Sequence, residues 1–357
     1  MKILTIDIGM GTSDILLYDE DKNLENCIKM VLPSPTTVLA EKVRDATRRG
    51  VGIFLTGETI GGGPIVSALM QHLSRRLKVV MTEEAAYTVR SNLEEVLEMG
   101  VDVIRDEAEL GSFKGETIEI SEVNINSLKG FLGSLGESLS DVDIVAVAVQ
   151  DHGAAPKGVS NRKFRMETIR VQLERNNRAD ALAFSEGEIP PYYLRMKAAA
   201  KAAKRQLPHA KVLVMDTGPA ALVGCRKDPR VERVGSLLAV NVGNGHTVMA
   251  LLNDGEVKGL LEHHTRLLTP ATAKKLILDF EAKLAKDEEV FSEGGHGVVY
   301  LDAKAEPFNA EKIAATGPNR GLLYGVGLDV CFPAPAGDVM MTGPMGLVTA
   351  AERKFNL

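Results

Sequence analysis

The sequence predicts an α/β protein with two similar lobes around a cleft and a subdomain inserted into the first lobe. Three observations lead to this prediction. The chain repeats one unit, strand, glycine-rich polar corner, strand, turn, strand and helix, which begins near residue 3 and again near residue 236. Strands and helices alternate between the two copies, and this order favours a mixed sheet covered by helices. Residues 51–139 fit neither copy and therefore predict an insertion.

The first copy opens with ILTIDIGMGTSDILLYD, residues 3–19, where two apolar runs flank a corner of glycines, hydroxyls and aspartates. Two strands can be joined by a turn as short as Asn-Gly, so we expect this more open polar corner to face a ligand. CIKMVLP (27–33) predicts a third strand. PTTVLAEKVRDATRRG (35–50) has helical spacing and a closing glycine, and predicts a helix.

The segment between the copies continues the alternation. VDIVAVAVQDHG (142–153) has the unbroken β-branched run that is typical of a buried strand in a parallel sheet. RMKAAAKAAKRQL (195–207) predicts a helix rich in Ala and Lys. KVLVMDTGPAALVGC (211–225) predicts a strand, a turn and a helix of small residues.

The second copy begins with SLLAVNVGNGHTVMALL (236–252), which again predicts strand, corner and strand. The turn Asn-Asp-Gly leads into EVKGLLEH (256–263), and TPATAKKLILDFEAKLAKDE (269–288) predicts a helix that begins at a proline. Two corners at the head of one repeated unit indicate a duplicated architecture whose corners face each other across the cleft. We therefore assign residues 1–50 and 140–228 to lobe I, 51–139 to the inserted subdomain and 229–357 to lobe II.

Composition excludes several classes of partner. The chain has 357 residues, a net charge of -6 and a pI near 5.8, so it lacks the basic balance that a nucleic-acid partner requires. It has no Trp and 4% aromatic residues, which argues against a platform that stacks bases or sugars. These totals favour an ordinary globular protein of two domains whose ligand is small or is another protein.

Membrane and secretory signals are also missing from the pattern. No apolar run approaches the roughly 20 residues that span a bilayer. Asp7 interrupts the stretch that a signal peptide would need to keep apolar. The three cysteines (Cys27, Cys225, Cys331) lie far apart and form no C-x-x-C pair, which fits a reducing compartment. We expect a cytoplasmic protein without a membrane partner, and the oligomeric state stays open.

The two corners have the chemistry that a polyphosphate requires. Glycine-rich turns allow close approach and aim backbone N–H groups at anionic oxygens. Thr12, Ser13 and Thr247 add hydroxyls, and Asp7 ends a strand where a carboxylate could hold Mg²⁺ directly or through water. A single short glycine-rich loop is as easily a loop without a ligand, but a second one in the equivalent place makes a phosphate site the better interpretation.

These residues carry a resemblance. D-I-G-M-G-T-S-D resembles the first phosphate loop, and N-V-G-N-G-H-T the second, of the actin, heat-shock chaperone and sugar-kinase ATPase superfamily. K-V-L-V-M-D-T-G-P-A-A-L-V-G is similar to the segment that the chaperones write as E-P-T-A-A-A and xylulose-kinase-type enzymes as G-D-N-A-A-A. G-D-V-M-M-T-G-P-M-G (337–346) looks like the adenosine motif, a strand that ends in small residues. The resemblance covers about residues 1–50 and 142–357.

The resemblance implies two lobes of ribonuclease-H-like (actin-like ATPase) fold with Mg-ATP between the corners. Within the superfamily the chain most resembles a prokaryotic group, some of whose members carry a pyruvate-formate-lyase-activating label. The C-x-x-x-C-x-x-C motif of a radical enzyme is missing from the sequence. The implied ATP contacts come from the first corner, the second corner and the adenosine motif, with Mg²⁺ at Asp7: Asp7, Gly9, Gly11, Thr12, Ser13; Gly243, Asn244, Gly245, His246, Thr247; Gly343, Pro344, Gly346.

The chain departs from the superfamily pattern at Asn241, where the second loop usually opens with aspartate. The lost charge favours slow hydrolysis, or a different carboxylate in the catalytic role. Asp216 ends a strand near the place where xylulose-kinase-type enzymes carry their general base, and capping the following helix is an equally good interpretation. Proline in G-P-M-G removes a backbone donor and leaves the nucleoside preference open.

Two functions remain open, with a third behind them. The chain could be a phosphotransferase acting on a small hydroxylated or carboxylated metabolite that the insertion selects. It could instead be an ATP-driven switch that activates a partner enzyme with slow hydrolysis, or a degenerate lobe pair that binds a partner without nucleotide. The histidines do not predict a metal site. His263 and His264 are adjacent on a strand and point to opposite faces. His152 and His296 lie in loops that could reach the cleft, and a solvated or packed histidine is the better interpretation of each.

Overall fold

A computed structural model of the chain describes residues 1–302 and 306–357, and its described strands form three sheets. In chain order the strands are β1 (Lys2–Ile8), β2 (Thr12–Asp19), β3 (Ile28–Pro33), β4 (Gly52–Gly57), β5 (Val79–Thr82), β6 (Asp102–Ile104), β7 (Gly115–Ile120), β8 (Ile144–Val149), β9 (Ala183–Ser185), β10 (Lys211–Met215), β11 (Ser236–Val242), β12 (His246–Asn253), β13 (Glu256–His264), β14 (Gly297–Tyr300), β15 (Lys312–Thr316) and β16 (Val330–Cys331).

The helices cover these sheets and connect the strands. They are α1 (Pro35–Arg49), α2 (Gly63–Ser74), α3 (Glu83–Ala86), α4 (Leu93–Glu98), α5 (Ile125–Ser134), α6 (Asn161–Arg175), α7 (Leu194–Gln206), α8 (Thr217–Cys225), α9 (Pro270–Glu281), α10 (Asp287–Ser292) and α11 (Thr342–Lys354). Within the described ranges, no helix combines the length and the apolar character needed to cross a membrane.

Local chemistry explains where several helices begin and end. α1 ends at Gly50, whose φ of 69° is left-handed and suits a residue without Cβ. α9 begins with Pro270 at its first turn, and the hydroxyl of Thr269 accepts a hydrogen bond from the backbone N–H of Thr272 at 3.2 Å. α9 ends at Glu281, earlier than the predicted range 269–288, because Lys283 takes a left-handed φ of 56°.

Two of the sheets have the same plan, which confirms the predicted α/β fold of two similar lobes. Their strand orders are β3-β2-β1-β8-β10-β9 and β14-β13-β12-β11-β15-β16. In each, three antiparallel strands follow one another, and the first of them pairs in parallel with a later strand, β1 with β8 and β11 with β15. β8 is buried along its whole length, as its β-branched run predicts.

The third sheet lies in the segment that fits neither copy. Its order is β6-β5-β4-β7, with parallel pairs throughout. Leu39 and Val43 of α1 are buried in the same core as this sheet, so α1 joins the insertion to the first corner. Leu128 and Leu132 of α5 pack instead into the core of the first lobe.

α8 and α11 lie so close that their glycines are required. A Cβ on Gly224 would lie 1.7 Å from the carbonyl oxygen of Thr342, and one on Gly346 would lie 1.8 Å from that of Ala220. The prediction of a strand at residues 337–346 is wrong, because Thr342 begins α11 and short 3-10 turns precede it. Short apolar runs such as V-M-M do not distinguish strand from helix. Met345 buries itself against the first lobe's sheet and ties the end of the chain to that lobe.

Candidate functional site

The two glycine corners meet across the cleft. Gly9–Gly11 join β1 to β2, and Gly243–Gly245 join β11 to β12. A Cβ on Gly11 would lie 2.5 Å from the side-chain nitrogen of Asn244, and one on Gly245 would lie 3.6 Å from the sulfur of Met10. The corners therefore face each other, as the duplication predicts, and they are in contact.

Buried carboxylates lie on one side of these corners, around a cavity of about 60 Å³. Asp7 accepts a hydrogen bond from the hydroxyl of Thr217 at 2.6 Å. Burial raises the pKa of Asp7 to about 7. Burial, with the nearby charge of Asp7 as a further cause, raises the pKa of Asp14 to about 8. The site therefore holds two carboxyl groups that desolvation makes hard to ionise.

The small cavity beside Asp7 and Asp14 has ligand atoms suited to a hard cation. Oδ1 of Asp14 and the hydroxyl of Ser13 are buried polar atoms without a hydrogen-bond partner among the described residues. Asp14 lines the small cavity, whereas Ser13 is not among its lining residues. Buried polar groups normally have partners, so an unpaired carboxylate oxygen at a small cavity indicates a place for an ion or a ligand. The donors around it are carboxylates and hydroxyls, which Mg²⁺ prefers.

The other predicted contact residues take several positions. Gly9, Gly243 and Asn244 line both the small cavity and a larger one on the other side of the corners. Thr12 lines only the small cavity, and Gly245 and His246 line only the larger one. Thr247 is buried, and its hydroxyl lies 3.0 Å from that of Thr265 rather than facing either cavity.

The predicted adenosine motif is buried between helices. Gly343, Pro344 and Gly346 all lie in α11 and are buried. A Cβ on Gly343 would lie 1.7 Å from Oδ2 of Asp7, so this glycine backs the carboxylate instead of facing a purine. A better candidate wall follows β15, where Gly317 and Pro318 line the small cavity. Asn319, next in the chain, donates a hydrogen bond to the carbonyl oxygen of Gly243 at 3.0 Å.

The larger cavity has a volume of about 480 Å³ and is lined by both lobes and by the insertion. The insertion contributes the loop 59–63 and residues 87–91. Three arginines line it, Arg90, Arg162 and Arg195. Asp151 is its one carboxylate among the described lining residues; burial raises its pKa, and its oxygens accept the N–H groups of Gly153 and Met196 at 2.9 and 3.0 Å.

Asp216 takes the capping role. Its Oδ1 accepts a hydrogen bond from the N–H of Gly218 at 3.2 Å, which caps α8. The guanidinium of Arg165 also donates to both of its oxygens, at 2.6 and 3.0 Å, and to Glu262 at 2.8 Å. These contacts favour the capping interpretation over the general base, because a buried cation contacts both oxygens of the carboxylate.

Arg165 itself was not predicted. The basic run of residues 162–178 is typical of a solvated helical face, yet Arg165 is 1% exposed. Its carboxylate partners lie 51 and 97 residues further along the chain. Nothing local marks one arginine of such a run as buried.

Four histidines lie together at the larger cavity. The sequence did not predict this cluster. His152 follows β8, His246 begins β12, His264 ends β13 and His296 precedes β14. Their neighbouring ring centroids are 4.6 to 5.7 Å apart. Burial lowers the pKa of each imidazole, to about 4 for His264 and about 3 for His296. Glycine follows or precedes three of these histidines, and that is the only signal the sequence holds.

The chain is similar to several solved structures along most of its length. A protein with actin-like ATPase fold and unknown function from Bacteroides thetaiotaomicron is 8% identical, with 96% of this chain and 95% of that chain covered and a TM-score of 0.37. An activator of the 2-hydroxyisocaproyl-CoA dehydratase from Clostridium difficile is 11% identical, with 100% and 98% covered and a TM-score of 0.35. The ROK hexokinase from Thermus thermophilus is 12% identical, with 100% and 99% covered and a TM-score of 0.35.

Sequence comparison gives a more direct result. No curated protein matches the chain. A family model described as "Putative pyruvate format-lyase activating enzyme (DUF1786)" matches residues 60–322, well over half of the chain. The match confirms the predicted resemblance to a group that carries this label. The chain belongs to the DUF1786 family.

Proposed function

We propose that the protein is a Mg-ATP-dependent phosphotransferase that acts on a small anionic metabolite bearing a hydroxyl group. One observation carries the proposal. The cavity of about 480 Å³ begins at the two glycine corners and extends to the insertion, where arginines line it. This volume lies within the range of about 300–1,000 Å³ that is usual for small-molecule sites.

The corners are the proposed phosphate site. Backbone N–H groups of Gly9–Gly11 and Gly243–Gly245 would receive phosphate oxygens, with the hydroxyls of Thr12 and Ser13. Asp7 and Asp14 would hold Mg²⁺ beside them, because their buried oxygens include one without a partner. Bound Mg²⁺ supplies charge neutralisation for the transferring phosphoryl group. The segment 317–319 is the proposed nucleoside wall, in place of residues 343–346.

The metabolite would lie on the insertion side of the corners. The guanidinium of Arg162 donates a hydrogen bond to the carbonyl oxygen of Phe291 at 3.2 Å and stacks 4.0 Å from the ring centroid of the same residue. These two contacts position the guanidinium without neutralising its charge. Arg195 is held by Glu122, which accepts from its Nε at 2.9 Å. A cavity with fixed guanidinium groups favours a carboxylate or phosphate on the substrate.

Asp151 is the proposed general base in place of Asp216. Its carboxylate is the one that lines the larger cavity among the described residues, and each oxygen keeps a lone pair after accepting its backbone hydrogen bond. Burial raises its pKa towards the range in which a carboxylate accepts a proton readily. It would take the proton of the metabolite hydroxyl as that oxygen attacks the terminal phosphate.

The test is single-turnover transfer from ATP labelled in its terminal phosphate, across a panel of carboxylated, phosphorylated and neutral hydroxylated metabolites. We expect label to pass to an anionic member of the panel. Asp151→Asn should lower the transfer rate by about 10²–10⁴-fold and leave the Kd for Mg-ATP unchanged. Arg162→Met should raise KM for the metabolite. Arg170→Met is the matched control, since Arg170 lies on the same helix and pairs with exposed Glu167 and Glu174.

Each result bears on a different part of the proposal. Mg-ATP binding without transfer to any member of the panel would reject the phosphotransferase. Calorimetry that shows no Mg-ATP binding would reject every nucleotide-dependent function for this chain. Undiminished transfer by Asp151→Asn would remove the general-base assignment alone.

A second candidate is an ATP-driven switch that activates a partner enzyme. The contact between the corners favours it, because a triphosphate cannot enter a cavity of about 60 Å³ unless the corners separate. Nucleotide binding would then be coupled to the arrangement of the lobes, as a switch requires. Phosphate released only after addition of a partner protein would support this function over transfer to a metabolite.

A further inference from the structure

We propose that His152, His246 and His296 form a binding site for a transition-metal ion of the Zn²⁺ type. One ring nitrogen of each lies within 4.8 Å of the other two. Zn–N bonds of about 2.0–2.1 Å in tetrahedral geometry place the ligand nitrogens roughly 3.4 Å apart. Small rotations of the three rings would close this difference. The site does not depend on the proposed phosphotransferase function.

Unpaired nitrogens are the strongest support for the site. His296 is 0% exposed, and its Nε2 makes no hydrogen bond with a described residue. Nε2 of His246 is likewise buried and unpaired. An imidazole that is packed only as an apolar ring still loses its hydrogen bonds with water, so an unpaired buried nitrogen is costly. A metal ion would satisfy these lone pairs.

A buried carboxylate orients one of the three imidazoles. Oε1 of the buried Glu262 lies 3.2 Å from Nδ1 of His296. A carboxylate behind a ligating histidine is a common arrangement at metal sites, where it fixes the ring and raises its basicity.

Glu262 is itself fixed, which makes the site pre-formed. Its Oε1 accepts from the side-chain amide of Gln150 at 2.6 Å, and its Oε2 accepts from Arg165 at 2.8 Å. Asp216 also pairs with Arg165, so the two carboxylates exceed the one guanidinium by one negative charge. That excess favours a cation in the histidine cluster.

The ligand type separates this site from the oxygen-rich one at Asp7 and Asp14. Imidazole nitrogens select Zn²⁺ and its neighbours in the first transition row, whereas carboxylates and hydroxyls suit Mg²⁺. Three protein ligands leave a fourth position, which faces the larger cavity because all three histidines line it. His264, whose ring centroid is 4.6 Å from that of His246, is the nearest candidate for that position if a fourth protein ligand binds.

The three ligands come from both lobes, which gives the metal a structural consequence. His152 follows β8 of the first lobe, while His246 and His296 belong to the second. A shared ion would therefore stabilise the arrangement in which the corners are in contact. Its binding to the folded state raises stability by an amount that grows with the free metal concentration.

The experiment is calorimetric titration of the tag-free, metal-stripped full chain with Zn²⁺ in the absence of nucleotide, and with Co²⁺ for its visible spectrum. We expect one equivalent to bind and Co²⁺ to give the intense absorption of a low-coordinate site. His152→Gln and His246→Gln should lose this spectrum and the bound equivalent. Glu262→Gln should weaken the affinity about 10–100-fold.

His209→Gln is the control, because this exposed histidine lies outside the cluster and should bind metal as the wild type does. Thermal unfolding of every variant reports folding separately, and His152 and His246 are only half-buried, so their replacement is tolerable. A folded wild type that binds neither ion at micromolar concentration overturns the site. Unchanged binding by both folded glutamine variants overturns it equally, and neither result bears on transfer from ATP.

Discussion

Arg165 shows how one buried cation can organise a site. It is fully enclosed, and its guanidinium joins Asp216 at the head of α8 to Glu262 on β13. The first carboxylate belongs to the first lobe and the second belongs to the second lobe. The ion group therefore lies between the lobes, and it also holds the carboxylate that contacts the histidine cluster.

Removing this guanidinium should be strongly destabilising. Arg165→Met leaves two buried carboxylates without compensation, and breaking a buried ion group in this way costs about 3–5 kcal/mol of the free energy of unfolding. Urea denaturation measures the change. Arg170→Met, which removes an exposed cation from the same helix, should cost no more than about 1 kcal/mol. Equal effects of the two substitutions would mean that the buried group contributes little.

Asp14 predicts a pH dependence of stability. Its pKa is raised to about 8 in the folded chain, chiefly by burial, while the carboxyl group in the unfolded chain ionises near its usual pKa of 3.8. Between these values the folded state binds more protons than the unfolded state, so stability falls as pH rises towards 8. An amide resembles the protonated acid and does not ionise. The stability of Asp14→Asn relative to wild type should therefore grow between pH 5.5 and 8.5.

Urea denaturation in metal-free buffer at both pH values checks this expectation. Asp45→Asn provides the comparison, since Asp45 is exposed on α1 and pairs with Arg49, which lowers its pKa. That variant should gain nothing relative to wild type as pH rises. A constant difference between Asp14→Asn and wild type would show that Asp14 is ionised in the folded chain throughout this range.

At the scale of elements, the contact between α8 and α11 supports the carboxylate Asp7 from behind. Asp216 is the N-cap residue of α8, and α11 places Gly343 directly against Asp7. Small residues at Gly224 and Gly346 allow the two backbones to approach. The sequence motif G-P-M-G therefore serves helix packing behind the carboxylate site.

Gly224→Ala should disrupt this contact. The added Cβ would lie 1.7 Å from the carbonyl oxygen of Thr342, which is backbone and cannot rotate away. We expect a loss of about 3 kcal/mol or more, at the upper end of the usual overpacking cost. Gly130→Ala is the matched control, because Gly130 lies in α5 with nothing within 4 Å of an added Cβ. That change should be neutral or stabilising by up to about 1 kcal/mol. Thermal unfolding that ranks the two in the opposite order would contradict the close helix contact.

At the scale of the whole molecule, the contact between the corners ties ligand binding to lobe movement. Met10 of the first corner lies beside Gly245 of the second, where an added Cβ would be 3.6 Å from the methionine sulfur, and the oxygen-rich cavity behind them has a volume of about 60 Å³. The larger cavity on the other side already has room for a small molecule. A triphosphate therefore requires the corners to separate before it binds at the small cavity, whereas a small metabolite can enter the larger cavity without this movement.

We expect a non-hydrolysable Mg-ATP analogue to lower energy transfer between dyes on the insertion and on the second lobe. Leu97→Cys and Leu284→Cys are suitable positions, since both side chains are more than half exposed. Cys27 and Cys225 are buried, and Cys331 would be replaced by Ser. A pair at Leu97 and Phe131, both outside the second lobe, should not respond. Unchanged transfer with analogue bound, as measured by calorimetry, would show that the triphosphate enters without parting the corners.

The sequence by itself determined the elements and their order. Apolar alternation, turn residues and glycine positions act between residues close in the chain, so β1, β2 and α1, and their counterparts β11, β12 and α9, are readable where they stand. The repeat of this local unit also predicted two lobes with facing corners. Where a local signal was ambiguous, as at residues 337–346, packing against α8 and the first lobe's core made the segment helical instead of extended.

Only the tertiary structure decided which side chains share a site. Asp216 could cap or act as a base on sequence grounds, and the contact that favours the cap comes from Arg165, a residue 51 positions away. The histidine cluster joins residues from 152 to 296, and its members are unremarkable in their own loops. Burial, ion pairing and ligand geometry depend on distances in space. The residues of this site come from segments far apart in the chain, so their distances cannot be predicted from the pattern of neighbouring residues.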